Sequence, residues 1–204
     1  MTRYLCWPVD EARLLAGFTG WLHPARRNDL PVMMVVGARD CWLRELAGAD
    51  PVPLVAAYER LSEQTIYLRF MRPRQKPSAE QVSFFIDYPR DTQIGLLLTD
   101  NDGAPLALAQ SIRRRRHPDR AEFSCVVADD FQHQGAGRRI LLALALLAYG
   151  EGIREWTAEV LSQNRPMLSL LKGLGLPLTL VTGREMVFVR LDLSVLGKLD
   201  LHRA

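Results

Sequence analysis

The chain's 204 residues, 48% of them hydrophobic, are enough for one domain with a substantial core, or for one domain plus an appendage. A formal net charge of +3 falls far short of the dense basic stripe that nucleic-acid binding needs, and it suits an anionic small ligand at least as well as a polymer. Cys6, Cys41 and Cys125 are far apart, odd in number and in no Cys-x-x-Cys pairing, which argues against a disulfide framework or a zinc site and for thiols in a reducing compartment.

In chain order, residues 1 to about 30 mix Trp7, Phe18 and Trp21 with Pro8, Gly17, Gly20 and Pro24 and follow neither a helical nor a strand period. They form an N-terminal extension of unclear fold. Pro8, Asp10 and Glu11 interrupt it too early for a secretory signal, so a cytoplasmic protein is expected. From Pro31 the pattern sharpens: Val32 to Val36 and Cys41 to Leu46 read as a hairpin around residues 37–40. Asp50 can cap a helix that has Pro51 at its first position, and further helices follow Ser62 and Ser78. Ile94 to Thr99, Pro105 to Ile112 and Ala121 to Val127 form an antiparallel meander, the first turn being Asn101-Asp102-Gly103. The basic run Arg113 to Arg116 falls where two strands reverse and reads as a solvated hairpin.

After the meander come a Gly-rich turn, an apolar helix from about Gly137 to Tyr149, a strand Glu155 to Leu161, a helix opened by Asn164, and closing strands Leu178 to Val181 and Met186 to Leu193. The longest apolar stretch, Ile140 to Tyr149, is about half of the roughly 20 residues a bilayer span requires, so no membrane segment is expected. The order is α+β, with a domain over 31–193 and a tail over 194–204.

Val126-Val127-Ala128-Asp129-Asp130-Phe131-Gln132-His133-Gln134-Gly135-Ala136-Gly137-Arg138 runs from strand to helix through glycines. The first N–H groups of a helix lack intrahelical partners and sit at the positive end of its dipole, so such a turn can cradle a pyrophosphate. It can also be only a tight connection. The dinucleotide fingerprint fails because Ile140 stands at its third glycine, and no Gly-x-x-x-x-Gly-Lys-Ser/Thr occurs. What remains, Gln132-x-x-Gly135-x-Gly137, closely resembles the Arg/Gln-x-x-Gly-x-Gly/Ala signature of the GNAT acyltransferases. Tyr58 to Ser62, Tyr67 to Phe70, Ala121 to Phe123 and Asn164 to Leu168 are similar to the acyltransferase domain of bacterial Pat-type protein lysine acetyltransferases.

That resemblance implies a GNAT-like mixed, mostly antiparallel sheet with splayed strands and flanking helices, and acetyl-CoA as acyl donor without a metal. It implies that Val126 and Val127 pair with the pantetheine, that Gln132, His133, Gln134, Gly135, Ala136, Gly137 and Arg138 hold the pyrophosphate, and that Asn164 lies near the pantetheine arm. Asn164 is equally a helix cap, and the two roles can coexist. It further implies a catalytic glutamate at Glu122, ten positions before Gln132. Alternation puts Glu122, Ser124 and Val126 on one strand face and Cys125 on the other, which favours a buried Cys125 over a covalent acyl-enzyme. Were the Glu122 face turned outward, the residue would be merely solvated. Leu171 occupies the place of the tyrosine that protonates the leaving thiolate in many members, so no general acid is assigned. None of His23, His117, His133 and His202 has metal-ligand spacing to a carboxylate or cysteine.

The acceptor is expected to be an amine, a protein lysine by the closest resemblance. A small-molecule amine and a non-catalytic acyl-CoA-binding module are the alternatives. An oligomer is possible and nucleic acid is an unlikely partner.

Overall fold

A computed structural model describes residues 3–20, 23–46, 48 and 50–199; Trp21, His202 and the end of the expected tail lie outside the described residues. Its centre is a nine-stranded sheet of order β1-β8-β9-β7-β6-β5-β4-β3-β2. The strands are β1 (Arg3–Trp7), β2 (Val32–Val36), β3 (Arg39–Glu45), β4 (Gln93–Thr99), β5 (Pro105–Arg114), β6 (His117–Val127), β7 (Glu155–Leu161), β8 (Leu178–Thr182) and β9 (Met186–Asp192). All neighbours are antiparallel except β6 and β7. The helices are α1 (Glu11–Ala16), α2 (Pro51–Arg60), α3 (Glu63–Phe70), α4 (Ala79–Ile86), α5 (Ala136–Gly150) and α6 (Arg165–Gly173).

The expected mixed α+β sheet with flanking helices is therefore what the chain forms. The predicted 37–40 reversal is tighter than expected: Val36 pairs with Arg39, leaving Gly37 and Ala38 as a two-residue turn that needs the positive φ of 63° at Gly37. Ser62 and Ser78 cap α3 and α4 as their positions predict, each side chain accepting a hydrogen bond from the backbone three residues on. Asp50 precedes α2 but makes no side-chain cap; its carboxylate is gripped by Arg44 at 2.8 and 2.5 Å.

The leading thirty residues, unreadable by pattern, supply the edge strand β1 on β8 and the helix α1. Arg27 then locks this segment down. Its side chain is 6% exposed and pairs with Glu45 at the end of β3 and with Glu151 just beyond α5, at 3.3 Å for the latter, while donating to the Arg90 carbonyl. Arg113 performs a similar task from the basic run, donating to the backbone of Asp91, Pro118 and Glu151, whereas residues 114–116 stay exposed.

The core lies largely between the sheet and α5, from which Ile140, Leu141, Leu142 and Leu144 are fully buried. At 15 residues that helix belongs to a core, and among the described residues no helix is long and apolar enough to cross a membrane. The feature that positions the site is the parallel pair: β6 and β7 share only Arg120↔Glu155, Ala121↔Trp156 and Glu122↔Thr157, then separate. Under the crotch, Phe123 stacks on Trp156 with centroids 5.0 Å apart, and the indole N–H donates to Ser111 Oγ at 3.0 Å.

Replacing Arg27 with Met should cost about 3 kcal/mol of unfolding free energy, the low end for breaking a buried ion pair because Glu45 keeps Arg90 at 2.8 Å. In denaturant titrations an Arg27→Met/Glu45→Met double variant should lose less than the sum of the single changes. Additive losses would show that the pair is not coupled.

Candidate active site

Beyond Glu122 and Thr157 the two strands lose their common ladder, so the facing backbone edges of residues 123–127 and 158–160 open onto a cleft of about 610 Å³. That volume is typical of small-ligand sites. Alternation places Glu122, Ser124 and Val126 of β6 with Thr157 and Glu159 of β7 on one face, while Ala121, Phe123 and Cys125 turn into the core. Glu122 is exposed and lines the cleft. Cys125 is 4% exposed, and burial pushes its thiol up to about 12, with Arg69 opposing the shift, so it is neutral and a poor nucleophile.

At the end of β6 the chain turns into α5. His133 has φ 60° and Gly135 φ 87°, left-handed conformations that swing successive N–H groups toward one side. The first helical hydrogen bond runs from Arg139 N to the Gly135 carbonyl at 3.1 Å, so the N–H groups of Ala136, Gly137 and Arg138 precede any intrahelical partner. A Cβ on Gly135 would meet nothing within 4 Å, whereas one on Gly137 would meet Leu170 at 3.0 Å and Val127 at 3.4 Å. The two motif glycines thus serve different ends. Gly135 supplies a conformation and an open approach; Gly137 lets α5 pack against α6 and β6.

The predicted site residues gather with two exceptions. Glu122, Val126, Val127, Gln132, His133, Gly135, Gly137, Arg138 and Asn164 all line the cleft. Gln134 instead folds back to donate to the Asp130 carbonyl at 3.0 Å, and the Ala136 side chain is buried in the core. Gln132 braces the turn, its amide donating to the Val127 carbonyl at 3.2 Å and to Thr65 Oγ1 at 3.3 Å. Arg138 lines the cleft but also donates to the Arg13 carbonyl of α1, and Arg139 reaches Thr19 rather than the cleft. Asn164 caps α6 by accepting from Met167 N at 3.1 Å and donates to the Leu68 carbonyl at 3.4 Å, tying α6 to α3. Leu171, where the resemblance expects a tyrosine in many members, is fully buried.

The lining residues not foreseen include Thr65 and Arg69 of α3 and Glu159 of β7. The place of Glu159 depends on the register of β7 against β6, and that of the α3 residues on how the helix docks. Asp129 explains the docking. Its carboxylate accepts from Ser62 N at 2.9 Å, Ser62 Oγ at 2.6 Å and Thr65 Oγ1 at 2.7 Å, so it faces the positive end of α3 from the Gly-rich turn. Among the described residues no three His, Cys, Asp or Glu side chains are grouped to hold a metal.

The Acetyltransferase (GNAT) family model matches residues 56–176. Acetyltransferase Pat of Mycolicibacterium smegmatis is 28% identical over 155 residues, 76% of this chain but 43% of the relative, so the chain spans less than half the length of that protein. Among solved structures, the GNAT domain of S. lividans PAT superposes with a TM-score of 0.74 at 26% identity, covering 79% of this chain and 96% of that one. A cAMP-binding acyltransferase from Mycobacterium smegmatis shares the fold, with a TM-score of 0.56 at 21% identity over 93% of this chain and 52% of its own.

Burial pushes the Asp129 carboxyl up, but the donors from Ser62 and Thr65 outweigh it and hold the group below the ordinary aspartate value. A depressed folded value contributes stability above the unfolded pKa and loses it as pH falls through the folded one. Asp129→Ala should therefore cost about 1 kcal/mol at neutral pH, a figure kept small by the exposure of the site and equivalent to roughly 2–4 °C in Tm. The gap to the unsubstituted protein should close below the ordinary aspartate value. A gap independent of pH would show that the charge is not what matters.

Proposed function

Because the chain belongs to the Acetyltransferase (GNAT) family, we propose that it moves an acetyl group from acetyl-CoA to an amine, a protein lysine side chain, with Glu122 as general base. The observation that carries this reading is the fork: an unpaired strand edge runs from an exposed carboxylate to the free N–H groups that open α5.

Each part of the cleft fits one part of the donor. The N–H groups at the start of α5, with Gly135 giving open approach and Arg138 adding charge, suit the pyrophosphate. The edge of β6 at Val126 and Val127 can pair with an amide-bearing arm as a sheet edge pairs with a peptide. Asn164 stands where that arm would pass, and Glu122 lies at the far end, on the last rung before the fork. The seat therefore fits acetyl-CoA, whose thioester supplies the activated acyl group.

The acceptor must be neutral to attack. A lysine of ordinary pKa near 10.4 costs about 4 kcal/mol to deprotonate at pH 7.4, so a group that takes the proton is needed. Glu122 can do so directly or through one water, and its exposure gives the proton a route to solvent. Glu159, on the same strand face and also exposed, adds a second negative charge that favours approach of an ammonium. Lysine as the acceptor rests on the similarity to Pat-type domains.

Acetyl-CoA at a hundredfold excess over its Kd should stabilise the fold by about 2.7 kcal/mol if it binds only the native state. Glu122→Gln should keep that stabilisation while lowering turnover of a lysine peptide by about 10²–10⁴-fold, and activity should recover partly as pH rises. No thermal shift with millimolar acetyl-CoA would remove the donor assignment. Undiminished turnover in the glutamine variant would remove the base.

A further inference from the structure

Withdrawing a guanidinium from water is unfavourable unless an anion faces it. Arg69 is half-buried, so its guanidinium is only partly withdrawn from water and still opens onto the cleft. It lies on α3 and lines the cleft, and burial pulls its pKa down against the attraction of Cys125 and Glu122. Cys125 is held neutral by its own burial, and Glu122 forms no ion pair with Arg69 within 4 Å. No hydrogen bond to a described residue engages the guanidinium either. Its close neighbour is the Phe70 ring at 5.0 Å, which offers a π face but no counter-charge.

The location separates this cation from the pyrophosphate seat. Thr65, one helical turn earlier on the same face of α3, is the residue that touches Asp129 and Gln132 of the turn. Arg69 is displaced about 6 Å along the helix from that contact. Together with Val126 it lines both the cleft and a smaller apolar chamber of about 100 Å³, walled by Leu54, Tyr58, Phe85 and Leu108. A planar, permanently charged fork beside apolar walls matches a carboxylate on a short aliphatic arm.

We propose that Arg69 is the receptor for a carboxylate carried close to the reacting bond, on the acyl group or on the amine, an inference that rests on the acetyl-transfer reading of the same cleft. In either case the amine nitrogen bonds to the thioester carbonyl carbon, the C–S bond breaks, Glu122 takes the amine proton, and coenzyme A leaves as the thiolate or thiol. Only the ligand that carries the carboxylate differs.

Initial rates distinguish the two sources. Acetyl-CoA and succinyl-CoA offer the thioester without and with a carboxylate; β-alanine amide and β-alanine, compared at equal neutral-amine concentration, do the same for the acceptor. The unsubstituted protein should favour the carboxylate member of at least one pair by about 10–100-fold in kcat/KM. Arg69→Gln should bring that ratio toward one, and Arg69→Lys should keep part of it, since charge survives without the fork. The proposal fails if neither pair is discriminated, if folded Arg69→Gln protein retains the ratio, or if it slows both members alike. Should Arg69→Gln not fold, an undiminished ratio in Arg69→Lys overturns it equally. Absence of turnover with every pair, and with either thioester and a lysine peptide, would sink the acetyl-transfer reading itself. Calorimetry would then decide the subsite: succinyl-CoA binding no tighter than acetyl-CoA, with no binding of β-alanine, would overturn it.

Discussion

Three shared rungs between β6 and β7, and none after Glu122↔Thr157, are the constraint on which the rest of the molecule depends. A strand edge in the middle of a sheet leaves backbone donors and acceptors that folding normally pairs, so a fork is tolerable only where solvent or a ligand reaches it. The stack of Phe123 on Trp156 fills the space beneath the crotch, and the tight approach of Gly137 to Leu170 and Val127 fixes α5 and α6 around its mouth. The opening is thus supported from below by packed aromatic rings. Its exposed edge is what makes it useful.

The third wall is less permanent in kind. α3 meets the strands through few side chains, and its hold on the Gly-rich turn is concentrated in Asp129, Ser62, Thr65 and Gln132. Asn164 adds one bond from α6 to the Leu68 carbonyl. Polar links of this sort fix direction more than they add stability, since each net hydrogen bond contributes about 1 kcal/mol. The same residues that shape the Gly-rich turn therefore orient the helix carrying Arg69, so the two ends of the cleft are not independent.

Much of the fold was legible because the runs from Ile94 to Val127 combine strand formers with strong turn residues, and because Ser62, Ser78 and Asn164 stand where helix caps belong. The Arg3–Trp7 strand was not. It is an edge strand with most of its residues exposed, so burial imposes no alternation on it. Arg39 and Asp40 looked like turn residues because they are charged and follow Gly37, yet an exposed hairpin position accepts them. In the site, the motif named the turn but not the reason for each residue: Gly137 is set by Leu170 and Val127 packed against it, and Gln134 folds back onto the turn and lies over Gly37. Arg69 and Glu159 carry no local signal of function. Their significance arises when α3 docks and β7 diverges.

The pairing of β1 with β8 joins residues such as Arg3 and Thr182, the two ends of nearly the whole described chain. During synthesis at about 5–20 residues per second, the first strand would wait on the order of ten seconds or more before its partner emerged from the ribosome. Tyr4, 72% exposed even when the strand is paired, and Leu5 would spend that interval with no sheet beside them. A strand made long before its partner is thus among the last to find its place, and for that interval it is a segment a chaperone could hold.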